Sequence, residues 1–219
     1  MKSITLIALF ATLISAAHGA DRKLASVKES DRVEHARELL GSRYRTSDAR
    51  RLENRQHLAE NILKAVEKHL PKKYRHRSND VAHAIIVEAT KHEMDPFFVM
   101  AVIAGESSFN PDARGPVGEI GLMQLRPTTG QWIAKLSKQK WGGKNSLKDP
   151  VTNIRLGTAY LAWLRAKFDG QGQLYVAAYN MGPKNVHKAL GKNIWPKDYP
   201  RHVMKRYLAF YKTIAVAKI

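Results

Sequence analysis

Cysteine is absent from the 219-residue chain. That excludes disulfides, thiolate nucleophiles and cysteine-based metal sites, and lipid attachment through an N-terminal cysteine as well. Acidic residues are few: 19 Asp and Glu face 37 Lys and Arg, a formal charge of +18. After the first twenty residues no apolar run approaches a membrane span. Nine histidines are present, yet none shows the His-Glu-x-x-His spacing of a zinc protease. No Gly-x-Ser-x-Gly nucleophile elbow occurs. The central glycine-rich stretch lacks the Gly-Lys-Ser/Thr ending of a phosphate loop. Neither a metal nor a cofactor is expected. Strand-like alternation of useful length is missing, apart from a short turn-ribbon between Gly115 and Gly121, so the expected fold is all-α.

Residues 1–20 hold a lone Lys2, an apolar run from Ile4 to Ala17, then small residues. This is the pattern of a secretory signal peptide. Cleavage is expected after Gly19, with Ala20 as the rival position. The mature form then has no transmembrane segment and is periplasmic or secreted. The charge excess is spread, +7 over residues 21–78 and +10 over residues 79–219. Such a chain is drawn to polyanions. For an exported protein that means the wall or an anionic envelope surface, and not nucleic acid.

Residues 20–78 read as a basic helical extension. Leu58, Ile62, Leu63, Val66 and Leu70 mark an amphipathic helix that Pro71 ends. A weaker helix spans 33–44, and Lys72 to Arg77 reads as a solvated connector. No catalytic signature lies here. The extension packs on the domain that follows or is partly disordered, with wall tethering as the alternative. Its removal is expected to leave catalysis on soluble glycan fragments intact.

The second domain, residues 79–219, opens with a helix over 80–94. Asp95 and Pro96 then start another, as N-cap and first helical residue. Val99, Val102, Ile103 and Glu106 follow at i, i+3, i+4, i+7 spacing. Glu106 thus falls on the apolar stripe, and Asn110-Pro111 is expected to end the helix. The dipole disfavours negative charge at a helix C-terminus, and burial raises a carboxyl pKa. Both effects suit a general acid. A Glu tipping into solvent at a frayed end is the alternative. Gly115, Gly118 and Gly121 then flank Leu122-Met123-Gln124, and Gln124 offers two donors and an acceptor. Further helices are expected over 127–136, from Asp149-Pro150, over 173–181, over 183–190 and over 200–217, with a loop from Trp195 to Tyr199.

Three motifs in order carry a resemblance: Glu106-Ser-Ser-Phe-Asn-Pro111, then Gly121-Leu-Met-Gln-Leu-Arg-Pro-Thr-Thr129, then Ala177-Ala-Tyr-Asn-Met-Gly-Pro183. Together they resemble the soluble lytic transglycosylase family, over roughly residues 79–211. The resemblance implies a lysozyme-like catalytic domain. It implies cleavage of the β-1,4 bond between N-acetylmuramic acid and N-acetylglucosamine in peptidoglycan, leaving a 1,6-anhydro end. It makes Glu106 the acid and then the base. It puts Met123, Gln124, Tyr179, Asn180 and Tyr199 near the glycan. Taken alone, Met123 reads as core, Tyr179 as a buried hydroxyl with a partner, and Asn180 as structural.

The sequence also departs from the family. The family often has Ser at the position of Gly115, Met at that of Arg126 and a small residue at that of Glu119. The Glu expected shortly before Tyr199 is missing from Trp195 to Asp198. The alternatives are a lysozyme-type hydrolase of the same bond, with Glu119 or Asp112 as second carboxylate, and a wall-binding homologue without activity. A basic nucleic-acid module is the third, and the signal peptide argues against it.

Overall fold

A computed structural model describes residues 24–216; the signal-peptide reading lies outside them. Ten α-helices form the described chain: α1 Glu29–Leu40, α2 Asp48–Arg51, α3 Leu58–His69, α4 Ser78–Lys91, α5 Pro96–Glu106, α6 Pro127–Leu136, α7 Pro150–Lys167, α8 Gly172–Met181, α9 Pro183–Leu190 and α10 Asp198–Val216. Short 3₁₀ turns cover Gly41–Thr46, Lys72–Arg77 and Lys144–Lys148. Among the described residues the extended structure is limited to isolated bridges, Arg114 to Ile120 and Ile120 to Leu125. This is the expected turn-ribbon.

Helix α5 is the centre. Its residues Pro96 to Ile103 are all buried, so the helix is apolar on every side and must be wrapped. Helix α10 packs along it, and α4 joins it to α7 and α3. Asp95 caps its start by accepting from the Phe97 N–H at 2.9 Å, with Pro96 at the first position. Asp149 does the same for α7, accepting from the Thr152 N–H and hydroxyl, both at 2.9 Å.

The extension shares this core. Ala36, Leu39, Leu40, Leu52, Ile62, Val66 and Leu70 belong to one cluster with Phe97, Phe98 and Tyr207. Helix α1 begins four residues earlier than the apolar pattern suggests and stops at Gly41, whose φ is +54°. Its inward stripe is partly polar, because Arg32 and His35 are fully buried. Arg32 donates to Glu29, to the carbonyls of Ala49 and Leu52, and to the Tyr211 hydroxyl at 2.7 Å. His35 Nδ1 accepts the Asp95 N–H at 3.0 Å, which leaves Nε2 to donate to the Tyr175 hydroxyl at 2.9 Å. The extension thus packs on the domain that follows, and losing residues 21–70 would remove this part of the core, which weighs against a dispensable extension. The Lys72–Arg77 segment, read as a solvated connector, is a 3₁₀ turn with no buried residue, and its Tyr74 hydroxyl donates to Asp112 at 2.8 Å.

Two further boundaries differ. Helix α5 ends at Glu106 and not at Asn110. Ser108 and Phe109 take positive φ, 51° and 62°, a cost of about 1–2 kcal/mol for each non-glycine residue. Full burial of the Phe109 ring offsets it. Helix α10 starts at Asp198, which puts Tyr199 in its first turn and not in a loop.

Candidate active site

The early stop of α5 makes Glu106 its last residue, half-buried, with its carboxylate facing a cleft of about 490 Å³. The loop from Gly115 to Arg126 and Thr129 form one wall. Tyr160, Tyr179, Asn180 and Asn185 form the other. The Gly121-Leu-Met-Gln turn is held from below by Asn153, which is buried on α7. Its Oδ1 accepts the Met123 N–H at 2.7 Å, and its Nδ2 donates to the carbonyls of Ile120 and Leu147. Gly121 has φ +81°, and a Cβ there would stand 2.5 Å from Asn153 Nδ2. Only glycine allows the turn to sit this low.

Around Glu106 the geometry favours a held proton. The Tyr199 hydroxyl donates to Glu106 Oε1. Burial pushes the Glu106 carboxyl above its ordinary range; the Tyr199 bond pulls it back, the Glu119 charge pushes it up again and Arg206 opposes. The net direction is upward. Burial and the Glu106 charge also keep the hydroxyls of Tyr179 and Tyr199 protonated far above neutral pH. A partly buried carboxyl with a raised pKa, beside an open polar cleft, can act as a general acid and then as a base.

The other candidate residues fall into three groups. Gln124, Tyr179 and Asn180 line the cleft with Glu106. Gln124 Nε2 donates to the carbonyls of Ala113 and Gly121, which turns its oxygen outward. Tyr179 donates to the Met123 carbonyl at 2.8 Å. Tyr199 reaches the site through Glu106 itself. Met123 does not reach the cleft: its side chain is fully buried in the core, against Gly157 and Thr158, so the expected direct glycan contact is corrected to a core position. Ser107 bonds back to the carbonyls of Ile103 and Leu122 and only shapes the turn.

The two spare carboxylates differ. Asp112 is tied outside the cleft by Lys73 Nζ at 2.5 Å and by Tyr74. Glu119 lines the cleft. Its Oε1 accepts from Arg126 Nε at 3.0 Å and its Oε2 from the Val117 N–H at 3.1 Å. Burial alone would raise its pKa, but these bonds and its own N–H together lower it. Asn153 and Arg206 carry roles that the motifs did not assign. The Asp-Pro-x-x-Asn spacing of 149–153 carries the only local signal for Asn153, and Arg206 has none. Among the described residues no group of three or more His, Asp or Glu is placed to hold a metal ion. No helix among them is long and apolar enough to cross a membrane.

Helix α5 thus ends in a partly buried Glu beside a polar cleft, in a domain built of helices. Residues 83–201 match the transglycosylase SLT domain, and the chain belongs to that family. The soluble lytic murein transglycosylase of Escherichia coli K12 is 37% identical over 102 residues, which is 46% of this chain and 16% of that protein. The membrane-bound lytic murein transglycosylase E of Buchnera aphidicola is 32% identical over 125 residues, 52% of this chain and 54% of that one. The chain thus spans a minor part of the first relative and about half of the second. The crystal structure of the 70 kDa soluble lytic transglycosylase of Escherichia coli superposes with a TM-score of 0.55, at 26% identity, over 84% of this chain and 32% of that one. The lytic transglycosylase Slt of Pseudomonas aeruginosa gives 0.57 at 22% identity, over 89% of this chain and 38% of that one. The fold is the lysozyme-like all-α fold of these enzymes.

Proposed function

We propose that the protein is an exported peptidoglycan lytic transglycosylase. It cleaves the β-1,4 bond between N-acetylmuramic acid and N-acetylglucosamine, in the periplasm or after secretion. The observation that carries the reading is Glu106: a carboxyl raised in pKa, bonded to Tyr199 and open to a cleft in a family of murein transglycosylases. Glu106 gives its proton to the leaving N-acetylglucosamine oxygen while the acetamido oxygen of the muramic sugar attacks C1. The charged Glu106 then takes the proton of the 6-hydroxyl. That oxygen bonds C1 and releases the acetamido group, which leaves a 1,6-anhydro ring. One carboxylate serves both steps, the exception that the two-carboxylate rule allows.

A hydrolase of the same bond has one observation in its favour, since Glu119 lines the cleft. A carboxylate is a weaker base the lower its pKa lies below the working pH, and Glu119 is lowered by Arg126 and two N–H groups. The test is digestion of purified peptidoglycan in ¹⁸O-water, read by mass spectrometry. Anhydro-muropeptides without label are expected. Reducing ends carrying one ¹⁸O would make the protein a hydrolase.

A further inference from the structure

Three residues at which this chain departs from the pattern of the resembling family meet at one point. Gly115, Glu119 and Arg126 all line the cleft that holds Glu106. A Cβ built on Gly115 would stand 2.2 Å from Glu119 Oε2 and 2.9 Å from Gln124 Oε1. The Glu119 carboxylate therefore fills the place that a side chain at 115 would take. Arg126 Nε fixes it from one side at 3.0 Å and the Val117 N–H from below at 3.1 Å. Only 17% of the Glu119 side chain is exposed.

The chemistry at that point is one-sided. Gln124 spends both donors on backbone carbonyls and presents its oxygen. Glu119 can only accept when ionised. Two acceptor oxygens therefore converge over Gly115, and the carboxylate has lone pairs left after its protein bonds. Acceptors that meet in an open cleft call for a donor from outside.

We propose that Glu119, braced by Arg126 over Gly115, is a substrate-binding residue. Its Oε2 and Gln124 Oε1 take a hydrogen bond from a hydroxyl or N–H group of the sugar beside the cleaved bond. The three departures are then one exchange: the side chain lost at 115 is replaced by a carboxylate reaching in from 119, and Arg126 is present to hold and neutralise it. This deepens the lytic transglycosylase reading and rests on it for the identity of the ligand.

Rescue is the test. Glu119→Ala, Gly115→Ser and the double variant are made in the active protein and in a Glu106→Gln background. Calorimetry with a soluble peptidoglycan tetrasaccharide reads binding in that background, and muropeptide release reads turnover in the active protein. Glu119→Ala should weaken binding by about tenfold or more, the value of a hydrogen bond to a charged group. Gly115→Ser should do the same, because its new side chain displaces the carboxylate. The double variant should recover to within about threefold, since the serine hydroxyl then fills the vacated place; a role confined to folding gives no such recovery. Binding by Glu119→Ala equal to the parent overturns the proposal. So does a double variant no better than Gly115→Ser. If the serine change unfolds the protein by circular dichroism, Glu119→Ala decides alone, for it introduces no clash. Muropeptide release by the wild type with no effect of Glu119→Ala sinks this proposal and leaves the lytic reading standing. Binding that depends on Glu119 in a protein that releases nothing sinks the lytic reading and leaves this one. Neither binding nor release sinks both.

Discussion

Asp95 and Glu106 sit at the two ends of helix α5, and burial raises the pKa of both. The surroundings separate them. Asp95 is fully buried and is met by three donors, the Phe97 N–H and the hydroxyls of Tyr207 and Tyr211 at 2.6 and 2.5 Å. Arg32 stands behind Tyr211 and supplies positive charge to the same network. No lone pair of Asp95 faces a cavity. Glu106 has one strong donor, Tyr199, and its other side is open to the cleft. A carboxylate at the dipole's positive end with every bond made holds the helix in place; one at the negative end with bonds unmade can exchange a proton.

Four experiments break or sharpen this contrast. The largest effect is expected from deleting residues 21–70, which removes Arg32 and His35 and uncovers the Asp95 end. Cooperative melting should disappear in circular dichroism, with activity lost as a consequence. Retained melting and turnover would show that the extension is separable after all.

Glu106→Gln touches only the open end. Turnover should fall by roughly 10²–10⁴-fold, the contribution of a general acid, and by more if both steps depend on it. The melting temperature should stay the same or rise, because a buried carboxyl with a raised pKa is a cost at neutral pH. Wild-type-like muropeptide release would remove Glu106 from the mechanism.

The third test is pH dependence. The Asp95 carboxyl is pushed up to about 6 by burial, which Arg32 and its hydrogen bonds only partly offset. Folding therefore raises its pKa from an unfolded value of about 3.9. Its contribution to stability is fully present below about pH 4 and is lost as pH rises through about 6. At most about 3 kcal/mol is at stake, at 1.36 kcal/mol per unit. Melting temperature should climb as pH falls from 7 to 5, and Asp95→Asn should flatten that climb. An unchanged slope in the variant would place the titrating group elsewhere.

Tyr199→Phe is the smallest. It removes the donor that favours the charged form of Glu106, so the pKa of Glu106 should rise further. The alkaline limb of the rate profile should move upward, and the maximal rate should fall by about tenfold, the scale of one charge-assisted hydrogen bond. An alkaline limb that stays put would mean that the bond does not persist in the working enzyme.

Helix starts were legible where an Asp-Pro pair capped them, as at Asp95 and Asp149, because capping uses only neighbours in the chain. The three motifs and Glu106 were legible for the same local reason. The bounds of helix α1 were not, since its inward stripe includes Arg32 and His35, which an apolar pattern does not count. Their burial is offset by Glu29, Tyr211, Tyr175 and Asp95, most of them distant in the chain.

By itself the sequence determined the all-α class, the family motifs and a carboxyl at the end of the apolar α5. Apolar periodicity, caps and motif spacing are written over four to ten neighbouring residues and need no knowledge of the fold. Only the tertiary structure decided that the extension belongs to the core, that the Met123 side chain is core and not contact, and that Tyr199 lies on Glu106. It alone decided that Gly115, Glu119 and Arg126 meet. Each of these depends on which helices pack against which, and packing is set by the sum of all buried faces at once, not by any one stretch of the chain.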